Sequence, residues 1–212
     1  EGEYYLVDQQ RKAGEKVILE VRNLSKKNKL ENISFEVHEG EILCITGTIG
    51  SGKETLCEIL YGLETKDSGQ IFLNGKEQEF KSPVQATSNG IGYSPDDRKN
   101  KGLILGMSVR DNLTIPIMKR IISVSKLSNF AKQIIERLNI VTPSEKTMVR
   151  KLSGGNQQKV IIGRLVLSNQ KVIILAFPTR GVDVGAKREI YSLIRELAEK
   201  DTAIILMGDS FE

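Results

Sequence analysis

Glu41-Ile42-Leu43-Cys44-Ile45-Thr46-Gly47-Thr48-Ile49-Gly50-Ser51-Gly52-Lys53-Glu54-Thr55-Leu56-Cys57-Glu58-Ile59-Leu60-Tyr61 reads as an apolar strand, a glycine-rich turn and a helix. The strand covers residues 41–46, and the helix, Glu54 to Tyr61, sets Leu56, Ile59 and Leu60 on one face. Glycines at 47, 50 and 52 let the backbone curl so that successive N–H groups point inward, while the helix aims its positive end at the same place. Lys53 adds a mobile point charge. Strand, turn and helix in this order are the context of a phosphate-binding loop, with Gly47, Thr48, Ile49, Gly50, Ser51, Gly52, Lys53, Glu54 and Thr55 as the candidate nucleotide contacts.

The loop departs from its pattern at one position. A Ser or Thr belongs directly after the lysine, where its hydroxyl ligates the Mg²⁺ between the outer phosphates. Here that residue is Glu54, and Thr55 comes one step too late round the helix. A carboxylate beside phosphates adds like-charge repulsion. Weakened Mg²⁺ dependence is therefore expected.

A second constellation is Lys151-Leu152-Ser153-Gly154-Gly155-Asn156-Gln157-Gln158-Lys159-Val160. From Gln157 to Leu167 the apolar residues Val160, Ile161, Leu165 and Val166 recur at helical spacing, so Ser153 stands near a helix N-terminus. The plain reading is a capped helix start. The functional one is an anion site made by N–H groups and a hydroxyl at the positive helix end.

The Leu152–Lys159 string, the loop at 47–53 and Pro178-Thr179-Arg180-Gly181-Val182-Asp183-Val184-Gly185-Ala186-Lys187 together resemble the ATP-binding subunits of ABC transporters, in particular the monosaccharide-importer group. The likeness runs from about Val17 to the end. Ile91 to Lys99 and Gly102 to Val109 are similar to the second, C-terminal, of the two nucleotide-binding halves such subunits carry. The resemblance implies an α/β P-loop fold with a mostly parallel core sheet, an antiparallel strand region and a helical insert at about 107–165. It also implies that Leu152, Ser153, Gly154, Gly155, Asn156 and Gln157 touch a nucleotide held by the partner half.

By the same resemblance the strand Val172 to Leu175 should end in an Asp that holds the metal shell and a Glu that polarises water. The chain has Ala176 and Phe177 there, which can neither bind a cation nor accept a proton, so no catalytic residue is assigned. Asp209 aligns with the polar residue expected after the last strand, and as a carboxylate it would repel a γ-phosphate. Asp96 stands in the altered glutamine loop, and Asp183 in the inter-half contact loop, where it also reads as a helix N-cap. A missing base costs on the order of 10²–10⁴-fold, and a missing metal several kcal/mol more.

The resemblance thus implies a half that binds ATP, with Mg²⁺ weak or absent at its own site, and that lends its signature residues to the competent site of the N-terminal half. This half alone would be nearly inactive. Implied partners are that N-terminal half, transmembrane permease subunits and, indirectly, a solute-binding protein, at the cytoplasmic face of the membrane. The alternatives are an independently active ATPase in which Glu54 or Asp209 takes over, or a soluble non-transport ABC protein. The latter usually carries long charged insertions, which this chain lacks.

Composition sets limits. At 212 residues and 39% hydrophobic content the chain can bury a substantial core, and one domain is the natural count. No apolar run reaches the roughly eighteen residues of a membrane span. The 31 basic and 27 acidic residues are scattered, except at Lys26-Lys27-Asn28-Lys29 and Arg98-Lys99-Asn100-Lys101, which read as solvated loops. Without tryptophan and with few aromatics, a nucleic-acid partner has no support.

Cys44 and Cys57 read as reduced core residues and His38 as a turn residue, with no metal site proposed. Residues 1–16 resemble the linker between the halves, and the end at Glu212 is expected to truncate the domain. Further strands are expected at Val17 to Val21, Ile33 to Val37, Gln70 to Leu73, Ile91 to Tyr93 and Ala203 to Met207. Ser108 to Val149 turns helical through Phe130, Ile134, Ile135 and Leu138, and Gly185 to Lys200 is a further amphipathic helix. Alternating strands and helices argue for a parallel α/β core.

Overall fold

A computed structural model of the chain describes residues 14–118 and 122–208. Most of the expected linker, and Asp209, lie outside the described residues. Two four-stranded sheets organise the rest. The antiparallel one joins β1 (Val17–Lys26), β2 (Leu30–His38), β4 (Ser68–Leu73) and β5 (Lys76–Gln78) in the order β2-β1-β4-β5. The other is wholly parallel and joins β3 (Ile42–Thr46), β6 (Ile91–Ser94), β7 (Val172–Ala176) and β8 (Ala203–Gly208) in the order β3-β8-β7-β6.

Alternation along β7 and β8 divides the interior into two cores. Val172, Ile174 and Ala176, with Ala203, Ile205 and Met207, face a cluster that includes Leu56, Ile59 and Leu60 of helix α1 (Lys53–Tyr61) and the inner residues of β1 and β4. Ile173 and Leu175, with Ile204 and Leu206, face helices α3 (Val109–Thr114), α4 (Val124–Arg137), α5 (Gly154–Ser168) and α6 (Val184–Glu199). Burial on both faces explains why β7 is a continuous apolar run rather than an alternating one. Both sheets and the helices follow the expected layering.

Several expectations need correction. Cys44 is exposed, because β3 is an edge strand and its outward face is uncovered; only Cys57 is a core thiol. His38 is the last residue of β2, and its backbone N–H donates to the Glu41 carboxylate at 2.6 Å. Phe130 is 39% exposed although it falls in the periodicity of α4, whose buried stripe is Leu127, Ala131 and Ile134. The short strand β5 and helix α2 (Pro83–Asn89), capped by Ser82, are additional to the sequence reading.

The two basic runs are not simply solvated. Lys26 pairs with Glu64 at 3.3 Å and Asp67 at 3.5 Å. Residues Arg98–Gly102 wind into a π-helical turn whose start is capped by Asp97, which accepts from the N–H groups of Lys99 and Asn100. Among the described residues no helix is long and apolar enough to cross a membrane.

Candidate nucleotide site and signature turn

The parallel strand β3 delivers the chain into the glycine turn and α1 begins at Lys53. Gly50 and Gly52 adopt positive φ of 85° and 91°, the left-handed region a side chain resists. At Gly52 space forbids a side chain as well, since a Cβ there would come within 2.2 Å of the Lys29 carbonyl oxygen in the β1–β2 turn. The loop folds over its own lysine. Lys53 is 3% exposed, and its Nζ donates to the carbonyls of Gly47 at 2.7 Å and Thr48 at 3.1 Å.

Glu54 completes that arrangement by standing 3.3 Å from Lys53 Nζ. Its carboxylate stands where the motif calls for a hydroxyl. Thr55, one position later, is buried. Residues 48–51 remain exposed, Ile49 most of all at 91%.

The end of β7 approaches the same lysine. Ala176 pairs with Met207 of β8 and is buried, and Phe177 N–H continues the ladder by donating to Met207 O at 2.9 Å. Phe177 has a positive φ of 49°, a strained conformation for an aromatic residue. Its ring lies 5.5 Å from Lys53 Nζ and 3.8 Å from the Arg180 guanidinium carbon. Negative ring faces attract both cations. Arg180 in turn pairs with Asp96 at 3.8 Å, and Asp96 also pairs with Lys101 at 3.6 Å. Positions 96, 177 and 53 are thus joined in one cluster through Arg180, a residue that sequence reasoning missed. The spacing of Phe177 and Arg180 across Pro178-Thr179 was the available signal.

The signature residues form a separate surface. Ser153 is exposed and caps α5, with Oγ accepting from Asn156 N–H at 3.5 Å and from Asn156 Nδ2 at 2.9 Å. Gln157 is buried and ties the turn down by donating to the carbonyls of Val149 and Leu152. A Cβ on Gly155 would stand 2.5 Å from the Ala186 Cβ, so this glycine lets α5 and α6 meet. Asp183 caps α6 by accepting from Ala186 N–H at 2.9 Å, as its sequence position predicts. Leu152 is buried beneath the turn.

Ser153–Gly155 and Gly47–Lys53 therefore differ: the first is a helix start with Ser153 exposed and Gly155 buried against α6, the second a loop folded over a buried cation. Among the described residues no group of three His, Cys, Asp or Glu side chains gathers as a metal site. The donor set at 176 and 177 is a methyl and an aromatic ring, which does not fit a divalent cation.

Comparison with known proteins accords with this geometry. The ABC transporter family profile matches residues 30–180. The ribose import ATP-binding protein RbsA of Bacillus cereus is 43% identical over 197 residues, covering 91% of this chain and 40% of that protein. RbsA of Bacillus licheniformis is 45% identical over 198 residues, again covering 91% of this chain and 40% of its relative. The chain thus spans about two fifths of the length of these relatives. Among solved structures, the ADP conformation of the ATP-binding cassette MJ1267 superposes with a TM-score of 0.78 at 24% identity, over 92% of this chain and 82% of that one. The dimeric cassette MJ0796 gives 0.78 at 22% identity, over 91% and 88%. With the glycine loop, the signature turn and the family profile in agreement over most of its length, the chain belongs to the ABC transporter family.

Proposed function

We propose that this chain is a degenerate nucleotide-binding half of the ATPase subunit that powers sugar import, binding ATP without cleaving it and completing the competent site of a partner half. One contrast carries the reading. Ser153, Gly154 and Gly155 keep a capped helix start, with Ser153 exposed, suited to a phosphate, while Ala176 and Phe177 offer no side-chain oxygen where metal and water would have to be held. Losing a general base alone lowers turnover by about 10²–10⁴-fold. Losing metal stabilisation lowers it further, though parts that act as a unit fail together rather than additively.

The resemblance to ribose import ATP-binding proteins supports sugar as the cargo class, together with permease subunits, a solute-binding protein and a place at the cytoplasmic face of the membrane. On the same reading the two halves pair head to tail. On this reading residues 107–165 are the helical insert, and Asp96 and Asp183 lie on coupling and inter-half loops. Mg²⁺ is weak or absent at this half's own site, since Glu54 already neutralises Lys53.

The test is ATP turnover by the whole subunit carrying Ser153→Arg, compared with Lys53→Ala. The arginine should abolish turnover by blocking the phosphate approach to α5, and the alanine should change it only slightly. Undiminished turnover with Ser153→Arg would end the proposal.

A further inference from the structure

We infer that Arg98 is a positioning residue for the signature turn, whose guanidinium also supplies fixed positive charge behind the phosphate approach at the start of α5; this rests on the role proposed above for Ser153–Gly155. The side chain leaves the π-helical turn and reaches far along the chain. Nη1 donates to the Arg180 carbonyl at 2.6 Å and Nη2 to the Gly181 carbonyl at 2.9 Å. The fork thereby fixes the backbone that leads to the Asp183 cap.

The same guanidinium backs the signature. A Cβ on Gly154 would come within 2.7 Å of Arg98 Nη2, 3.0 Å of the Gly181 carbonyl oxygen and 3.4 Å of Arg98 Cζ. Only a glycine at 154 lets the first residue of α5 sit against this charge without a shift. The other end of the turn is anchored to the same helix: Arg164 Nη1 donates to the Gly102 carbonyl at 2.8 Å, and Ile161 packs where a Gly102 side chain would be.

The charge is not neutralised locally. Among the described residues Arg98 Nε is buried without a hydrogen-bond partner, and no carboxylate lies within ion-pair distance of the guanidinium. The adjacent acids are committed elsewhere, Asp96 to Lys101 and Arg180, and Asp97 to the N–H groups of its own turn. A cation beside a helix N-terminus opposes the helix dipole. That cost is offset if a polyanion docks on the exposed side of the same helix start. A nucleoside polyphosphate presented by the partner half has that chemistry.

The experiment uses the full two-half subunit and steady-state ATP hydrolysis over a range of ATP and salt. Arg98→Gln keeps amide donors but removes the charge, and should raise KM for ATP about tenfold, with a flatter salt dependence and a smaller change in kcat. Arg98→Lys keeps the charge but cannot form the fork. It should return KM to within about threefold of the parent while kcat stays reduced, since one ammonium cannot hold two carbonyls in register. A merely structural role would lower the active fraction and leave KM alone. Unchanged KM in Arg98→Gln overturns the inference, as does a KM in Arg98→Lys as high as in Arg98→Gln. If Ser153→Arg leaves turnover intact, the earlier reading fails and this one falls with it. If Ser153→Arg abolishes turnover and Arg98→Gln leaves KM unmoved, only the present inference fails.

Discussion

Gly155→Ala tests whether a signature glycine is demanded by packing inside this chain as well as by anything docking on it. The added methyl would begin 2.5 Å from the Ala186 Cβ and 3.6 Å from Val182 Cγ1, where ordinary contact starts near 3.4 Å. The α5 and α6 backbones must therefore part by about 1 Å, because neither methyl can rotate away. Overpacking of this kind costs about 1–3 kcal/mol. Helix propensity returns up to about 1 kcal/mol when glycine becomes alanine in a helix, less near its first turn. The shift also strains the 2.9 Å hydrogen bond from Ala186 N–H to Asp183, a cap of about 1 kcal/mol. The net expectation is a loss of about 1–3 kcal/mol in urea unfolding, with the denaturant slope unchanged. Ala186→Gly supplies the control. Alone it costs up to about 1 kcal/mol in propensity, but it removes the methyl that Gly155→Ala meets. The double variant should accordingly be more stable than the sum of the singles by about 1–2 kcal/mol. Additivity within about 0.5 kcal/mol would refute the steric argument.

Three further outcomes are expected. Nucleotide affinity of the chain should change less than about threefold when Mg²⁺ is replaced by a chelator, because no oxygen ligand stands at 176 or 177; calorimetric titration that finds a tenfold Mg²⁺ requirement would contradict this. Burial, aided by Glu54 and Glu58, pushes the Cys57 thiol up to about 12, whereas Cys44 is exposed. A thiol reagent near neutral pH should therefore modify one cysteine in the folded chain and two in denaturant. The Asn100 side chain, then the N–H groups of Asn100 and Lys99, hold the Asp97 carboxyl below its ordinary range. A depressed pKa stabilises the fold above the unfolded value and loses that contribution as pH falls through the lowered one, so amide exchange in residues 98–102, taken relative to its intrinsic rate at each pH, should quicken selectively in acid. Asp97→Ala should reproduce that quickening at neutral pH, and equal protection in parent and variant would count against the cap.

The parts of this site that were legible in the sequence are those whose causes are local. The glycine loop, the N-caps at Ser153 and Asp183, and the apolar run of β7 each depend on neighbours within a few residues, so pattern and propensity suffice to place them. Arg98 and Arg180 depended on contacts that span the fold. The carbonyls that hold Arg98 lie 82 and 83 positions away, and a run of Arg-Lys-Asn-Lys carries no local sign that one of its cations turns inward. Cys44 was misplaced for a related reason: an apolar strand predicts burial, but whether both faces are covered depends on its rank in the sheet, and β3 is at the edge. Phe130 follows the helical period of α4 yet lies outside its buried stripe of Leu127, Ala131 and Ile134, which only tertiary packing decides.

The charges around Lys53 bear on why a half lacking acids would be kept as a binding partner. In the closed loop the Glu54 carboxylate and the carbonyls of Gly47 and Thr48 occupy the ammonium that a phosphate would engage. A nucleotide entering this loop must exchange itself for an anion already tethered next door, whose local concentration is fixed by the chain and does not dilute. Such competition lowers affinity without abolishing it, since a triphosphate carries more charge than one carboxylate. Among the described residues the signature turn shows no equivalent competitor: Ser153 is exposed, and Arg98, set against Gly154, pairs with no carboxylate. The same chain thus holds its own phosphate loop partly self-satisfied and its signature helix start electrostatically unsatisfied. On the proposed reading that asymmetry biases binding energy toward the interface between halves, so that closure on the partner's nucleotide is favoured over filling this half's own site.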